Sequence, residues 1–413
     1  MSTTQGALEP PLGDTGNTAA TQRKQQTSRV SGGTRPGTPQ QRRMIIALTP
    51  AVVYLAIRLV GLLVLAWLSA VNDESLLDNL NAWDGQWYTE IAAHGYGGVN
   101  PSMVDGFGHR YPETPLAFFP GYPLLIMAIA LIPGVSTIGA AITASLICGV
   151  VAAYGLARLG ERLGGTRRVG LLLVVLFAAA PMSVVLSMAY SEALFCALSI
   201  WALIGVVERN WPLAGLCCAA AGLIRPTAAA LVGVIGLAAV IAIVQRRDSW
   251  RPWLAVLLAP LGMIAYIGWV GLQTGKINGY FELQARGWSS AFDGGAKTAQ
   301  FVVEALTEDK SVFETFTVWV VLAAIVLLAL CVWHRLPWPL VLFAAAVLVL
   351  DLGSDGLMYS KVRLMLPAFP LLIPVAIGLS KRTPATAVTT AVLLVFFGSW
   401  LGAYSLTAWQ YAI

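Results

Sequence analysis

The sequence predicts an all-α protein that crosses a membrane many times, and two observations support this prediction. Of the 413 residues, 57% are hydrophobic and only 11% are charged, whereas soluble domains carry about 25% charged residues. A chain with so little charge has too little polar surface to cover a soluble globule. The apolar residues also gather in segments that reach the roughly 20 residues needed to span a bilayer as a helix. These segments are 44–70, 137–157, 169–188, 253–273, 316–333 and 386–406.

The chain before the first apolar segment has a different composition. Residues 1–43 are rich in Gln, Thr, Gly, Pro and Ser and show no apolar periodicity, so we expect a disordered tail. Both this polar stretch and the apolar run after it are too long for a signal peptide. Basic residues precede the first apolar segment and place the tail in the cytoplasm. They are Arg23, Lys24, Arg29, Arg35, Arg42 and Arg43.

The apolar segments and the positive-inside rule together predict about eleven spans over residues 44–413. They are 44–70, 137–157, 169–188, 192–207, 211–224, 227–244, 253–273, 314–333, 338–351, 365–380 and 386–406. This arrangement puts most of the 26 basic residues inside and most of the 21 acidic residues outside. Residues 71–136 and 274–313 then form large external loops. The apolar stretch 116–133 is a helix at the outer interface or a re-entrant helix.

The first external loop contains the motif WDGQWYTEIAAHGYG over residues 83–97. Trp83, Trp87, Ile91 and His94 recur at helical spacing, which predicts an interfacial helix with an aromatic belt. Asp84 stands at its start, where a carboxylate can cap the backbone and meet the positive end of the helix dipole. The same carboxylate, held at the membrane surface, can act as a base. Spacing alone leaves both roles open.

The motif PLAFFPGYP follows at residues 115–123. Three prolines and three aromatic residues within nine positions predict a stiff bend in place of a regular helix. From the pattern alone, the segment is a re-entrant corner packed on the bilayer.

These two motifs resemble those of the PIG-V-like mannosyltransferase family, whose eukaryotic members add the second mannose to the GPI anchor precursor. Weaker similarities follow in the family's order, so the resemblance covers about 44–380. They are AYSEALF at 189–195, GLIRPT at 222–227 and KVRLMLPAFP at 361–370. The resemblance identifies the chain as a bacterial, actinobacterial member.

The family belongs to the GT-C group of multi-span glycosyltransferases, so the resemblance implies a GT-C-type fold for residues 44–413. Members of this group use polyprenyl- or dolichyl-phosphate sugars on the external face and invert the anomeric configuration. They commonly carry an essential acidic residue in the first external loop. Carried over to this sequence, that residue is Asp84, which implies a catalytic role.

Inverting transfer also needs cations for the lipid phosphate that leaves, and Arg offers a bidentate fork for it. Arg225, Lys361 and Arg363 lie at outer ends of the predicted spans and are the candidates for binding the donor phosphate. The alternative for Arg225 is a structural pair with Glu192 or Asp351. Lys361 and Arg363 can instead match the acidic residues Asp351 and Asp355. We expect Arg58, inside the first span, to be structural or to contact a lipid head group.

Candidates for the sugar and the acceptor come from the same motifs. They are Trp87, Tyr88, Tyr122, Tyr190 and Glu192, with Glu192 either holding a sugar hydroxyl or pairing with Arg225. Residues 280–288 in the second external loop suit a helix at the acceptor entrance, or a plain surface helix.

We expect no metal and no other cofactor. A divalent cation between Asp84, Glu90 and His94 is the weaker alternative, because their spacing is not a recognised ligand motif. The five cysteines fall in apolar segments without a CxxC pair, so neither a zinc site nor a disulfide framework is indicated. The sequence has no GxGxxG, GxxxxGK[ST] or DxD motif, which agrees with a lipid-linked donor.

The sequence thus favours a plasma-membrane enzyme that transfers mannose from polyprenyl-phosphate-mannose to a lipid or glycan acceptor. Two alternatives stay open: another polyprenyl-phosphate sugar such as arabinose, glucose or galactose, and a flippase for lipid-linked sugars. Transporters often contain paired repeats with matching broken helices, and only one such break, near Arg225, stands out. The partners are the donor, the acceptor and membrane lipids, with no nucleic acid.

Overall fold

A computed structural model describes residues 39–409 and 411. Over these residues the fold is helical, with one isolated bridge between Phe292 and Ser354 and no β-strand. The helices are α1 (Pro39–Val71), α2 (Leu76–Leu80), α3 (Asp84–His94), α4 (Gly121–Ala130), α5 (Thr137–Gly164), α6 (Arg167–Ala178), α7 (Glu192–Val207), α8 (Trp211–Ala221), α9 (Ala228–Val244), α10 (Arg251–Leu258), α11 (Leu261–Thr274), α12 (Gly279–Trp288), α13 (Ala296–Thr307), α14 (Val312–Trp333), α15 (Trp338–Leu352), α16 (Lys361–Leu364), α17 (Ile373–Ser380) and α18 (Pro384–Thr407). Short 3₁₀ segments cover Thr114–Ala117, Ser183–Leu186, Met358–Ser360 and Leu366–Leu372. The predicted all-α architecture is confirmed.

The helices are those of a multi-pass membrane protein. Of the described helices, five are long and apolar enough to cross a membrane, or six if the pair Met358–Leu364 and Leu366–Ser380, bent by 61°, is one span. Shorter apolar helices, including α7, α8, α9 and α15, coincide with further predicted spans. The total of eleven stays a prediction, because a helix of 10–17 residues is shorter than the roughly 20 residues that a bilayer requires.

The predicted tail lies largely outside the described residues. Residues 39–43 form the beginning of α1, which starts at Pro39. The side chains described between residues 40 and 48 are exposed. The compact unit of the fold begins at Thr49.

The middle of this unit is built from helices that pack closely. Helix α5 packs against α6 and α7, and α7 packs against α8. Small residues permit this approach: a Cβ placed on Gly160 of α5 would lie 2.7 Å from the Cα of Gly170 in α6. Small residues at helix crossings let backbones meet in membrane proteins, where van der Waals packing contributes much of the association energy.

Arg58 holds α1 against the segment that follows α6. Its side chain is buried, and its guanidinium donates to the carbonyls of Ala178 and Ser183 and to the Ser183 hydroxyl. Carbonyls at a helix end have no partner within the helix, so a guanidinium satisfies them. Of the two roles expected for Arg58, the structural one is therefore confirmed.

Replacing Arg58 by methionine is expected to lower the free energy of unfolding by roughly 1–3 kcal/mol, because a buried carbonyl loses its partner. Thermal unfolding of the purified protein in detergent measures this change. Arg158→Met is the matched control, since Arg158 forms an exposed ion pair with Glu208 and such pairs contribute about 0–1 kcal/mol. Equal stability of the two variants would contradict the structural role of Arg58.

Two interruptions of helices bring cations into the fold. The chain leaves the α8 helix at Gly222 and enters α9 at Ala228, and Arg225 lies between them. The second interruption is the 61° bend between Met358–Leu364 and Leu366–Ser380, where α16 carries Lys361 and Arg363. Irregular backbone at membrane depth is tolerated where it is buried in protein or lines a cavity.

Candidate active site

Asp84 is the first residue of α3 and not its N-cap. The N-cap is Trp83, whose φ of 55° and ψ of −118° place it in a left-handed region that bulky residues rarely adopt. The Asp84 carboxylate makes an ion pair with Arg363, with 2.9 Å between Oδ2 and Nη1. The capping alternative is therefore wrong, and the carboxylate is free of the backbone of its own helix.

Helix α3 docks on the segment that leads into α7. The Tyr88 and Ser191 hydroxyl oxygens lie 3.0 Å apart, and at the end of the neighbouring α2 the Leu80 carbonyl accepts a hydrogen bond from the Ala189 N–H at 2.8 Å. Burial raises the pKa of Tyr88, so this phenol stays protonated. The WDGQWY and AYSE motifs, which are separated by about a hundred residues in sequence, thus form one packed unit.

The predicted interfacial stripe of α3 is only partly correct. Trp87 and Ile91 are buried, but Trp83 and His94 are exposed. The helix packs against α4 and α5, and the Trp87 ring stacks on Phe118 with 5.1 Å between centroids. Contact with protein, more than an interface with lipid, therefore decides which side chains of α3 are buried.

Glu192 lies near two arginines of the site, Arg225 and Arg363. It begins α7, is 1% exposed, and forms an ion pair with Arg225. Arg363 lies between the two carboxylates: its Nη1 faces Asp84, its Nε lies 3.9 Å from Glu192 Oε1, and its guanidinium lies over the Tyr190 ring at 5.1 Å. The pairing of Arg225 with Glu192 that the sequence left open is therefore present.

Lys361 is held by backbone groups and not by a carboxylate. Its ammonium donates to the carbonyl of Asp351 at 2.7 Å and to that of Ser354 at 2.8 Å. An ammonium has three donors, so one remains for a further partner. The side chain is 3% exposed and lies at the end of α15.

The AFFP segment is a bend whose carbonyls are satisfied by side chains. The carbonyls of residues 116–118 accept hydrogen bonds from three different parts of the chain. The donors are the Tyr96 hydroxyl, the Tyr266 hydroxyl and the Gln284 amide, at distances of 2.7–2.9 Å. Burial raises the pKa of Tyr96 to about 12, which keeps it a donor. The predicted stiff bend is confirmed.

Gly121 connects this bend to the interruption that carries Arg225. Its N–H donates to the Leu223 carbonyl at 2.8 Å. A Cβ at this position would lie 2.8 Å from that carbonyl oxygen and closer still to the Ile224 side chain. Only glycine permits so close an approach.

We expect Gly121→Ala to lower the free energy of unfolding by about 1–3 kcal/mol, the usual effect of overpacking. The displaced Leu223–Ile224 backbone continues into Arg225. We therefore expect Arg225 to be displaced as well, which should lower the activity of the site. Gly97→Ala is the control in the same loop, since no atom lies within 4 Å of its added Cβ. Unfolding in detergent checks the prediction, which is wrong if both variants match the wild type.

The candidate residues surround one cavity of about 420 Å³. This volume lies within the roughly 300–1,000 Å³ typical of small-molecule sites. Its charged lining residues are Asp84, Arg225, Asp351, Asp355, Lys361 and Arg363. Aromatic and aliphatic side chains form the rest of the wall, among them Phe118, Phe119, Ile224, Val347, Leu350 and Leu364.

The structure brings part of the predicted site into this cavity. Asp84, Tyr88 and the three predicted phosphate-binding cations line it, and Glu192 lies directly behind. Trp87, Tyr122 and Tyr190 are buried and are not among the lining residues. Tyr122, for example, is 0% exposed and its hydroxyl donates to the Ala141 carbonyl at 2.8 Å. These three do not present faces on which a sugar in the cavity could stack.

The second external loop also contributes to the lining, and the sequence leaves the role of its helix open. Tyr280, Phe281, Gln284 and Trp288 of α12 line the cavity, so the aromatic spacing in residues 280–288 marks a wall of the site and not a plain surface helix. The sequence predicts Asp351 only as an ion partner of Arg225, Lys361 or Arg363. Its position near the end of an otherwise apolar helix was the available signal.

The three residues of the weaker metal alternative lie in different surroundings. Glu90 accepts a hydrogen bond from the Asn100 N–H at 3.2 Å, and His94 is exposed. Among the described residues, no group of three or more His, Cys, Asp or Glu side chains converges. Asp84 faces an arginine in place of other acidic ligands.

No protein-family model matches the chain. Two curated proteins, both named GPI alpha-1,6-mannosyltransferase 2, are similar to part of it. The protein of Mus musculus is 34% identical over 146 residues and that of Cricetulus griseus 33% identical over 146 residues. The match takes in 33% of this chain and 27% and 26% of the two relatives. The chain therefore matches about a quarter of the length of these relatives.

A solved structure shares the fold. The crystal structure of ArnT from Cupriavidus metallidurans bound to undecaprenyl phosphate matches with a TM-score of 0.51 and 16% identity. The match covers 84% of this chain and 63% of that chain. The protein is thus a multi-pass membrane protein with a GT-C-type fold, as predicted.

Proposed function

We propose that this protein is a membrane glycosyltransferase that transfers mannose from a polyprenyl-phosphate donor to a hydroxyl of a lipid or glycan acceptor. One observation carries the proposal: Asp84 and the cations Arg225, Lys361 and Arg363 line the same cavity in a GT-C-type fold. The names of the partly similar relatives favour mannose. The undecaprenyl phosphate in the structure of similar fold favours a lipid phosphate.

Asp84 is the general base in this proposal. The acceptor hydroxyl loses its proton to the Asp84 carboxylate while its oxygen attacks the anomeric carbon of the donor sugar. The bond between that carbon and the phosphate oxygen breaks, and the lipid phosphate leaves from the opposite face with the bonding electrons. The configuration at the anomeric carbon is inverted. A positioned base contributes typically about 10²–10⁴-fold to such a rate.

The cations stabilise the leaving phosphate. As the phosphodiester becomes a phosphomonoester, negative charge grows on its oxygens. Arg225 uses one Nη for Glu192, and a guanidinium has five N–H donors, so others remain for phosphate. Lys361 has an unused ammonium donor beyond its two carbonyl partners. Such groups are most effective when they are held in place before charge develops.

Arg363 connects binding of the donor phosphate with proton transfer to Asp84. It is paired with Asp84 in this structure, so its guanidinium occupies the place next to one oxygen of the Asp84 carboxylate. A donor phosphate that draws the Arg363 guanidinium toward itself would release Asp84 to accept the proton. Donor binding would then prepare the base.

The cytoplasmic N-terminus and the external location of the active site remain part of the proposal. Their support is the distribution of basic residues under the positive-inside rule. The predicted external loops, residues 71–136 and 274–313, contribute α3 and α12 to the cavity. A site built from external loops gives the enzyme access to acceptors on that face.

Sugar transfer in membranes tests the function. Membranes that contain the protein are supplied with labelled polyprenyl-phosphate mannose and native lipid extract, in parallel with glucose, galactose and arabinose donors. We expect the label to move from the mannose donor into a new glycolipid or glycan. Movement of the donor across sealed vesicles without any new product would instead identify a flippase. Preference for another sugar would correct the donor and leave the enzyme class standing.

A further inference from the structure

The Asp351 carboxylate lines the cavity without a hydrogen-bond partner in the described part of the chain, although cations of the same cavity lie near it. It lies in the last turn of α15, is 8% exposed, and belongs to the cavity wall together with Lys361. Neither carboxylate oxygen has a hydrogen-bond partner among the residues that the structure describes. The nearby Lys361 ammonium donates to the backbone carbonyl of Asp351 and not to its side chain.

Three physical effects raise the free energy of a charged carboxylate at this position. Burial of a charge without hydrogen bonds is costly. The C-terminal end of a helix carries the negative end of the dipole, which repels an anion. The preceding residues of α15 are almost all apolar, so the helix offers no polar group to offset these costs. An ionisable residue in such a segment indicates a functional site by default.

We propose that Asp351 is a specificity-determining residue whose carboxylate binds hydroxyl groups of the donor sugar. This inference rests on the proposed function, in which Lys361 binds the donor phosphate. A sugar attached to that phosphate would be within reach of the Asp351 carboxylate, because Asp351 lines the same cavity and Lys361 is hydrogen-bonded to its backbone. An ionised carboxylate only accepts, and its two oxygens can receive the O–H groups of two adjacent hydroxyls. The hydroxyl groups of the sugar would thus provide the hydrogen-bond donors that the Asp351 carboxylate lacks among its described neighbours.

Binding of soluble probes to the purified protein in detergent tests this inference without any transfer reaction. The probes are mannose 1-phosphate and inorganic phosphate, compared by titration calorimetry. The wild type should bind mannose 1-phosphate roughly 10- to 100-fold more tightly than inorganic phosphate, which is the gain in affinity expected from hydrogen bonds to one charged group. In Asp351→Asn this preference should fall several-fold, because a neutral amide forms weaker hydrogen bonds to hydroxyls than a carboxylate does. In Asp351→Ala it should nearly vanish, while the affinity for inorganic phosphate stays unchanged in both variants.

Asp355→Asn is the matched control, because Asp355 lines the same cavity but its Oδ1 already accepts from the Gly356 N–H at 2.8 Å. It should keep the preference of the wild type. Titration of deoxy-mannose phosphates then identifies the hydroxyls: removing the hydroxyl that Asp351 binds should lower the affinity of the wild type and leave that of Asp351→Ala unchanged. Thermal unfolding verifies the fold of each variant, and Asp351→Ala gives the same comparison if the asparagine variant does not fold.

Two results would overturn the inference. One is a wild type that shows no preference for the sugar phosphate. The other is an Asp351→Asn variant that keeps the preference or loses affinity for both probes equally, which would make Asp351 only a counter-ion for Lys361. Failure of the proposed function is separate, because it appears as absent transfer in the membrane assay while the titrations remain measurable.

Discussion

Replacement of Asp84 by asparagine is expected to lower the rate of sugar transfer by roughly 10²–10⁴-fold, the usual contribution of a general base. Asparagine has nearly the same shape, and its carbonyl oxygen can still accept from Arg363, which lies 2.9 Å from Oδ2. The fold of the site should therefore persist while the proton acceptor is lost. Initial rates with labelled donor, at matched protein levels, measure the effect.

Asp78→Asn is the control for this experiment. Asp78 is an exposed carboxylate in α2 of the same external segment, and it does not line the cavity. Its replacement should leave the rate within a factor of about two of the wild type, as surface changes usually do. A fully active Asp84→Asn enzyme would mean that another group accepts the proton, and Asp84 would then serve only to hold Arg363.

The second large effect is expected from Arg363→Gln, which should lower kcat/KM for the donor by roughly 10²–10³-fold, as loss of a charge-stabilising donor does. Arg363 contacts Asp84 and lies near Glu192, so its loss removes a phosphate ligand and disturbs the position of the base. Arg363→Lys keeps the charge but loses the planar fork, and it should recover only part of the activity. Initial rates at varied donor concentration separate kcat from KM.

Arg286→Gln provides the comparison for Arg363. Arg286 lies on α12, stacks over Tyr111 at 3.7 Å and is 4.0 Å from Glu113, outside the lining of the cavity. Arg286→Gln therefore removes one positive charge from the external region, as Arg363→Gln does. We expect the KM for the donor to stay at the wild-type value. An Arg363→Gln enzyme with normal donor KM and kcat would remove Arg363 from the phosphate site.

Much of the site could be predicted because its residues stand in local patterns. Asp84 follows Trp83 at the start of a short helix, and Arg225 interrupts an apolar stretch beside a proline. Charges in such places are costly without a partner, which predicts Glu192 or Asp351 as the partner of Arg225, and the structure shows the pair with Glu192. Helix bounds were also accessible: the predicted 192–207 span coincides with α7.

Other features depend on tertiary contacts that no local pattern contains. Tyr122 and Tyr190 have the composition of sugar-stacking residues, but packing around them leaves both 0% exposed. The Tyr266 hydroxyl donates hydrogen bonds to carbonyls of the AFFP bend, although it is about 150 residues away in the sequence. The Asp351 carboxylate could be noticed in the sequence, but its place in the cavity wall beside Lys361 follows from the turn that leads from α15 back to α16.

A cryo-EM structure of the protein with undecaprenyl phosphate tests the central claim most directly. The account predicts that the phosphate lies in the cavity of about 420 Å³, within hydrogen-bond distance of Arg225, Lys361 and Arg363. It also predicts that the Arg363 guanidinium has moved from Asp84 toward the phosphate. A phosphate bound elsewhere, with the pair between Asp84 and Arg363 intact, would contradict the assignment of this cavity as the donor site.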